Sequence, residues 1–243
     1  MSGRINKAII LSFEQHLISS ATIMANMPEF QEACSLIRQY CLQGKIGLHL
    51  NFTSGMPLTA TASNCPRLCD AGGSWCPRRR VLRLTAEEAA ALDLEINAQV
   101  QACEKNGITP THWDSHHHMH TEFGITPVVI RAAKRMKVKG LRLGINCGAG
   151  REGASIPHRL AGMAYRTAYN TRVRLHGLAR TVYFGDALDT VDILRTTEAD
   201  TEVMVHPMLD AQGRLVDWDG KDLKARIEEL HIPPAEMSSY AAL

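Results

Sequence analysis

The chain has 243 residues, 45% of them hydrophobic, and 27 Lys and Arg against 25 Asp and Glu give a formal net charge of +2. That length and apolar share suit one α/β domain, 1–243, with a sizeable core, and the near-neutral balance excludes the charge signature of a nucleic-acid or anionic-membrane partner. No apolar run approaches the ~18–20 residues that span a bilayer, and the apolar start at 8–11 is broken by Ser12, Glu14, Gln15 and His16; the chain reads as cytoplasmic, with its seven cysteines as reduced thiols.

Apolar residues Ile5, Ile9, Phe13 and Leu17, with His16 beside them, predict one face of a helix over 5–17. Residues 21–24 read as a short strand. Pro28 opens a second helix with Phe30, Ala33, Cys34, Ile37, Tyr40 and Cys41 as its buried stripe and Gly44 as its stop. Residues 46–50 read as a strand that ends in a polar segment. Residues 57–80 carry Gly, Pro, Ser and Cys with little periodicity, and read as a long lid loop. A long helix follows over 87–106, closed by Gly107. A strand begins at Thr111, and a helix runs from Thr126 to about Lys137. Residues 140–143 are extended and 144–153 are Gly-rich. Helices are expected over 160–176, 187–195 and 223–230, and strands over 181–184 and 202–205. The recurrent unit is strand, polar loop, helix, which places chemistry at the C-terminal ends of parallel strands. Three of those ends carry a histidine: His49, His116 and His206.

The densest signal is Thr111-His112-Trp113-Asp114-Ser115-His116-His117-His118-Met119-His120, which holds five of the eleven histidines. Extended backbone would put His112, Asp114, His116, His118 and His120 on one side. Imidazole is a common metal ligand and proton carrier, and a nearby carboxylate can hold a ligand or act as base. His49, flanked by leucines, reads by itself as a core histidine; its place at a strand end favours a ligand. His206 precedes Pro207, so it sits where strand pairing stops. Cys65, Cys69 and Cys76 are separated by three and six residues with no fourth ligand to make the paired Cys sets of structural zinc, and read as loop thiols. The Gly-rich stretch lacks phosphate-loop and dinucleotide spacing.

Three ordered segments resemble the YdjC/ChbG family of carbohydrate deacetylases. Gly47-Leu48-His49-Leu50-Asn51-Phe52-Thr53-Ser54-Gly55-Met56-Pro57-Leu58 is similar to its "GLHLNLTxGxPL" segment, 111–120 to "THxDSHHHxH", and Glu202-Val203-Met204-Val205-His206-Pro207 to "EVMxHP". Residues 19–28 also follow the family pattern. The resemblance implies an α/β fold, a distorted TIM-like (β/α) barrel. It implies removal of the N-acetyl group from an acetylated amino sugar, with Mg2+ or Zn2+ held in part by His49 and His116. It further implies His206 as proton donor, Asp114 and Arg142 as catalytic groups, Asn26, Asn51, His118 and His120 as sugar contacts, and a homodimer.

The family's first strand and its Asp-Asp motif precede the segment that matches Met1-Ser2-Gly3-Arg4-Ile5-Asn6-Lys7-Ala8-Ile9. The expectation is that they lie upstream, with Met1 an internal methionine, or that the chain is a truncated paralogue missing the first barrel strand. Asp114, Asp186, Glu202 and Asp210 are the substitute carboxylates to consider. Two other functions stay open: a non-catalytic carbohydrate-binding remnant, and another metallohydrolase such as an amidase or phosphoesterase.

Overall fold

The computed structural model describes residues 3–148, 155–232 and 237–243. The Gly-rich stretch singled out above lies in part outside the described residues, at 149–154. The chain forms two compact units, Ala21–Leu141 and Ser2–Ser20 with Arg142–Leu243. It opens on α1 (Gly3–Glu14), which belongs to the second unit.

The first unit is built on a three-stranded parallel sheet in the order β1 (Ala21–Ile23), β2 (Ile46–Leu50), β3 (Trp113–Ser115). Its helices are α2 (Phe30–Gln39), the short α3 (Ala60–Ser63), α4 (Ala86–Lys105) and α5 (Thr126–Arg135). β2 is central and buries Leu48 and Leu50 completely, the pattern of a parallel strand covered on both faces. Gly47 on β2 has no room for a side chain, because an added Cβ would lie 2.6 Å from His112 Nδ1. α4 starts at a capping box in which Thr85 and Glu88 satisfy each other's backbone N–H groups. It buries Leu92, Ile96 and Cys103 fully.

α2 is shorter than the sequence pattern suggests. Cys41 takes a left-handed φ of 53° and ends it, so Tyr40 and Cys41 are exposed rather than buried. Gly44 is not the stop; it lies in a 3₁₀ turn, Gln43–Lys45. Cys103 and Cys69 carry thiols pushed up to about 12, chiefly by burial. At pH 8 both are essentially all thiol. Alkylation of the native protein followed by mass spectrometry is therefore expected to label Cys41 first and to leave Cys103 unmodified; early labelling of Cys103 would show that α4 opens readily.

The second unit pairs β4 (Tyr183–Asp186) with β5 (Thr201–Met204) in parallel, with α6 (Ile156–Leu175) before them and α7 (Ala187–Thr196) between them. A hairpin absent from the sequence-based expectations, β6 (Met208–Leu209) and β7 (Leu215–Val216), packs against α1. The last helix is α8 (Leu223–Glu228). α1 buries Ala8, Ile10 and Phe13, while Ile5 and Ile9 are only half-buried. The helix also stops earlier than expected: Leu17 N–H donates to Ser12 O, His16 turns left-handed at φ 56° and is exposed, and Leu17 itself is buried. Among the described residues no helix is long and apolar enough to cross a membrane.

Candidate active site

β2 and β3 run side by side with His49 opposite Asp114. That register brings the His49 Nδ1 to 2.7 Å from Asp114 Oδ1. Asp114 is fully buried and the His49 side chain is 19% exposed, so the imidazole is the part that still reaches solvent. Thr22, the middle residue of β1, adds a hydroxyl 3.2 Å from His49 Nδ1 that donates to Asp114 Oδ2 at 3.3 Å. A buried carboxylate accepts, so His49 donates from Nδ1, and the neutral ring keeps its lone pair on Nε2.

β3 ends at Ser115, and the expected extended run of histidines does not continue. Residues His116–Thr121 form a 3₁₀ turn in which His117 and His118 are left-handed, at φ 54° and 56°. Period-2 reasoning fails from that point, because the backbone reverses instead of staying pleated. His116 stays with His49, ring centroids 5.6 Å apart. His117, an odd-numbered position left aside by the alternation argument, stacks on His116 with centroids 3.9 Å apart and shares a hydrogen bond of 2.9 Å with Thr53. His118 is half-buried, and its ring lies 6.2 Å from that of His120. His120 is fully buried and clamped, its Nδ1 2.6 Å from Ser115 Oγ and its backbone N–H on the same oxygen. His112 is buried against Gly47. His112 and His120 are thus both interior residues.

The polar segment after β2 is braced from inside. Asn51 donates to Asn26 Oδ1 and to Ser54 O, and accepts from Thr53 and Ser54. Asn26 donates to Ser54 O and Met56 O. Both amides, expected at the sugar, are spent on shaping this loop. α4 holds it from below. Gln99 exchanges two hydrogen bonds with the Asn51 backbone, and the buried Glu95 accepts from Leu58 N, Thr59 N and Thr59 Oγ1. Further along, a cleft of about 410 Å3 has Arg67, Arg79, Arg80 and Arg83 in its walls. Glu88 and Glu122 offset Arg67 and Arg80 there.

Burial pushes His116 down to about 4, and His49 and His117 add repulsion of its charged form. His116 is therefore neutral at pH 7. The unfolded chain takes up this proton at the ordinary value of 6.5 and the folded one only near 4, so the contribution is complete above 6.5 and is lost as pH falls toward 4. Urea midpoints at pH 7 and pH 5 are expected to differ less in His116→Gln than in the unsubstituted protein; equal differences would reject the assignment.

Two imidazoles with free lone pairs, one oriented by a carboxylate, have the chemistry of metal ligands. Yet among the described residues no group of three or more His, Cys, Asp and Glu side chains is placed to hold an ion. The pair fits as part of a coordination shell and does not complete one.

In the second unit, His206 lies just past β5, exposed, and donates its backbone N–H to Asp217 Oδ1 at 2.7 Å. Asp186, at the end of β4, is raised by burial and pulled the other way by His206. Arg142 grips Glu202 at 2.7 and 2.6 Å, and Tyr240 OH donates to the other oxygen of Glu202 at 2.5 Å. The Arg142 guanidinium also lies over the Phe184 ring. Asp210 is engaged by Arg214 and its own turn. Of the substitute carboxylates considered, Asp114, Glu202 and Asp210 are thus already committed.

The model of the YdjC-like protein family matches residues 1–233. A carbohydrate deacetylase of Vibrio cholerae serotype O1 (strain M66-2) is 31% identical over 235 residues, 94% of this chain and 81% of that protein. Carbohydrate deacetylases of Halalkalibacterium halodurans and Geobacillus stearothermophilus are each 34% identical over 137 residues. Those matches span 56% of this chain and only about half of those proteins, 56% and 53%. A crystal structure described as a cellobiose-phosphate cleavage protein from Enterococcus faecalis V583 superposes with a TM-score of 0.67 at 19% identity, covering 99% of this chain and 94% of that one. At that identity the likeness speaks to the fold.

Proposed function

The chain belongs to the YdjC-like family, and from that premise we propose that it hydrolyses the N-acetyl group of an acetylated amino sugar in the cytoplasm, on a distorted (β/α) barrel. The observation that carries the reading is the His49–Asp114 pair on neighbouring parallel strands, with His116 beside it. Relatives named carbohydrate deacetylases support it.

The chain's own residues divide the work as follows. Asp114 accepts from His49 Nδ1 and fixes the ring, so that Nε2 remains as the nitrogen for a ligand. Thr22 ties Asp114 down from the other side. His116, kept neutral by burial, offers a second lone pair. These two nitrogens would hold a divalent ion, Mg2+ or Zn2+. Such an ion, when bound, supplies polarisation of the acetamide carbonyl and a more acidic water. His206 donates a proton to the departing amine, and Asp186, at the end of β4, is close enough to feel its charge. Arg142 is held as a fixed cation by Glu202.

The test is acetate release from N-acetylglucosamine oligomers with Mg2+ or Zn2+ supplied. Turnover that vanishes in His116→Ala supports the proposal. Sugar binding without acetate release would make the protein a carbohydrate binder. Hydrolysis of other amides or phosphate esters, with acetylated sugars untouched, would make it a different hydrolase.

A further inference from the structure

We propose that Asp217 is the positioning residue for His206, and that the buried Arg226 fixes Asp217 for that task. The inference rests on the reading of His206 as the proton donor, and it adds residues which that reading does not contain. After β5 the chain places His206 and Pro207, turns through the β6–β7 hairpin and returns at Asp217. There the Asp217 carboxylate reaches back across the hairpin. Its Oδ1 accepts the His206 backbone N–H at 2.7 Å and that of Trp218 at 2.9 Å. Its Oδ2 lies 3.1 Å from Arg226 Nη1, with side chains 2% and 5% exposed. The other Arg226 nitrogen, Nη2, is taken by Asp219 Oδ2 at 2.6 Å. Arg226 comes from α8, whose first turn is capped by Asp222.

Pro207 ends strand pairing, so the sheet does not fix the backbone at His206. A charge-assisted hydrogen bond to the His206 backbone N–H holds the main chain from which the ring projects, and a small misplacement of a reacting group is costly to rate. A buried ion pair is seldom needed for stability alone, since well-packed apolar residues can do as well. Here its two carboxylate oxygens are divided between the arginine and the main chain that carries His206.

Three variants of the full chain test the assignment: Asp217→Ala, Asp217→Asn and Arg226→Met. The readouts are hydrogen exchange of the His206 amide, the NMR line widths of its ring, and kcat and KM for acetate release. Asp217→Ala is expected to speed His206 amide exchange by about tenfold or more and to lower kcat by a similar factor, with KM within about twofold. Asp217→Asn keeps an acceptor oxygen and is expected to restore much of the amide protection and of kcat. Arg226→Met should fall between the two. A folded Asp217→Ala protein with native His206 protection and native kcat overturns the proposal. So does an Asp217→Asn protein as impaired as the alanine variant, since the ion pair alone would then matter. Should the alanine variant not fold, the asparagine and methionine variants decide on the same readouts. Absence of acetate release in the unsubstituted protein would sink the deacetylase reading, whereas the amide-exchange comparison would still decide whether Asp217 holds His206.

Discussion

His49→Ala is expected to lower acetate release by at least about a hundredfold, with the fold intact, because it removes a proposed ligand nitrogen outright. The side chain is partly exposed and packs at a strand end, so its loss leaves only a small, solvent-accessible gap. Asp114→Asn is expected to cost about 10- to 100-fold by a different route. The amide can still face His49, but its NH2 group competes for the place of the acceptor, and the buried negative charge that selects the Nδ1–H form is gone. Initial rates with a supplied metal, alongside thermal melts, separate the two effects from unfolding. An Asp114→Asn protein with native rates would mean that the carboxylate merely fills space. A His49→Ala protein within twofold of native activity would remove His49 from the reaction altogether.

Glu95→Ala is expected to lower the stability of the protein by about 2–5 kcal/mol, since it strands several buried donors at once. Glu95 is fully buried on α4. One carboxylate oxygen accepts from Leu58 N at 2.9 Å and Gln99 Nε2 at 3.0 Å. The other accepts from Thr59 N at 2.9 Å and Thr59 Oγ1 at 2.8 Å. Alanine takes the acceptor from two backbone N–H groups, from Thr59 Oγ1 and from Gln99 Nε2, which keeps only its bond to Asn51 O, at the base of the loop that follows His49. Activity should fall along with stability, because Asn51 and Thr53, the latter hydrogen-bonded to His117, belong to the same loop. Urea denaturation gives the magnitude. A loss below about 1 kcal/mol would show that water re-satisfies the donors without cost.

Much of the site was legible in the chain because its signals are local. β2 was expected at 46–50 and occupies Ile46–Leu50. A run of apolar residues bounded by a polar stop reports a buried parallel strand without help from elsewhere. α4 was announced in the same way, by periodicity and a closing Gly107, which does adopt a left-handed φ of 76°. The ordered histidine motifs placed the chain in its family. His49, His116 and Asp114 were singled out from residue type and position, and the pairing of β2 with β3 brings them together.

The tertiary structure decided the rest. Alternation along 111–120 implied one row of histidines, but two left-handed residues break the strand after Ser115. The turn sends His120 into the interior and brings His117 onto His116. Residue types alone do not report a φ sign change outside glycine. The partners that hold the site are also distant in sequence. Thr22 reaches Asp114 across 92 positions, Glu95 reaches Thr59 across 36, and Asp217 reaches His206 across 11. Sequence by itself determined which residue types could do this chemistry and which strands carry them, because periodicity and composition act over a few residues. Which of those side chains face one another, and which carboxylate fixes which imidazole, was decided only when parallel pairing set the register between strands that the chain keeps far apart.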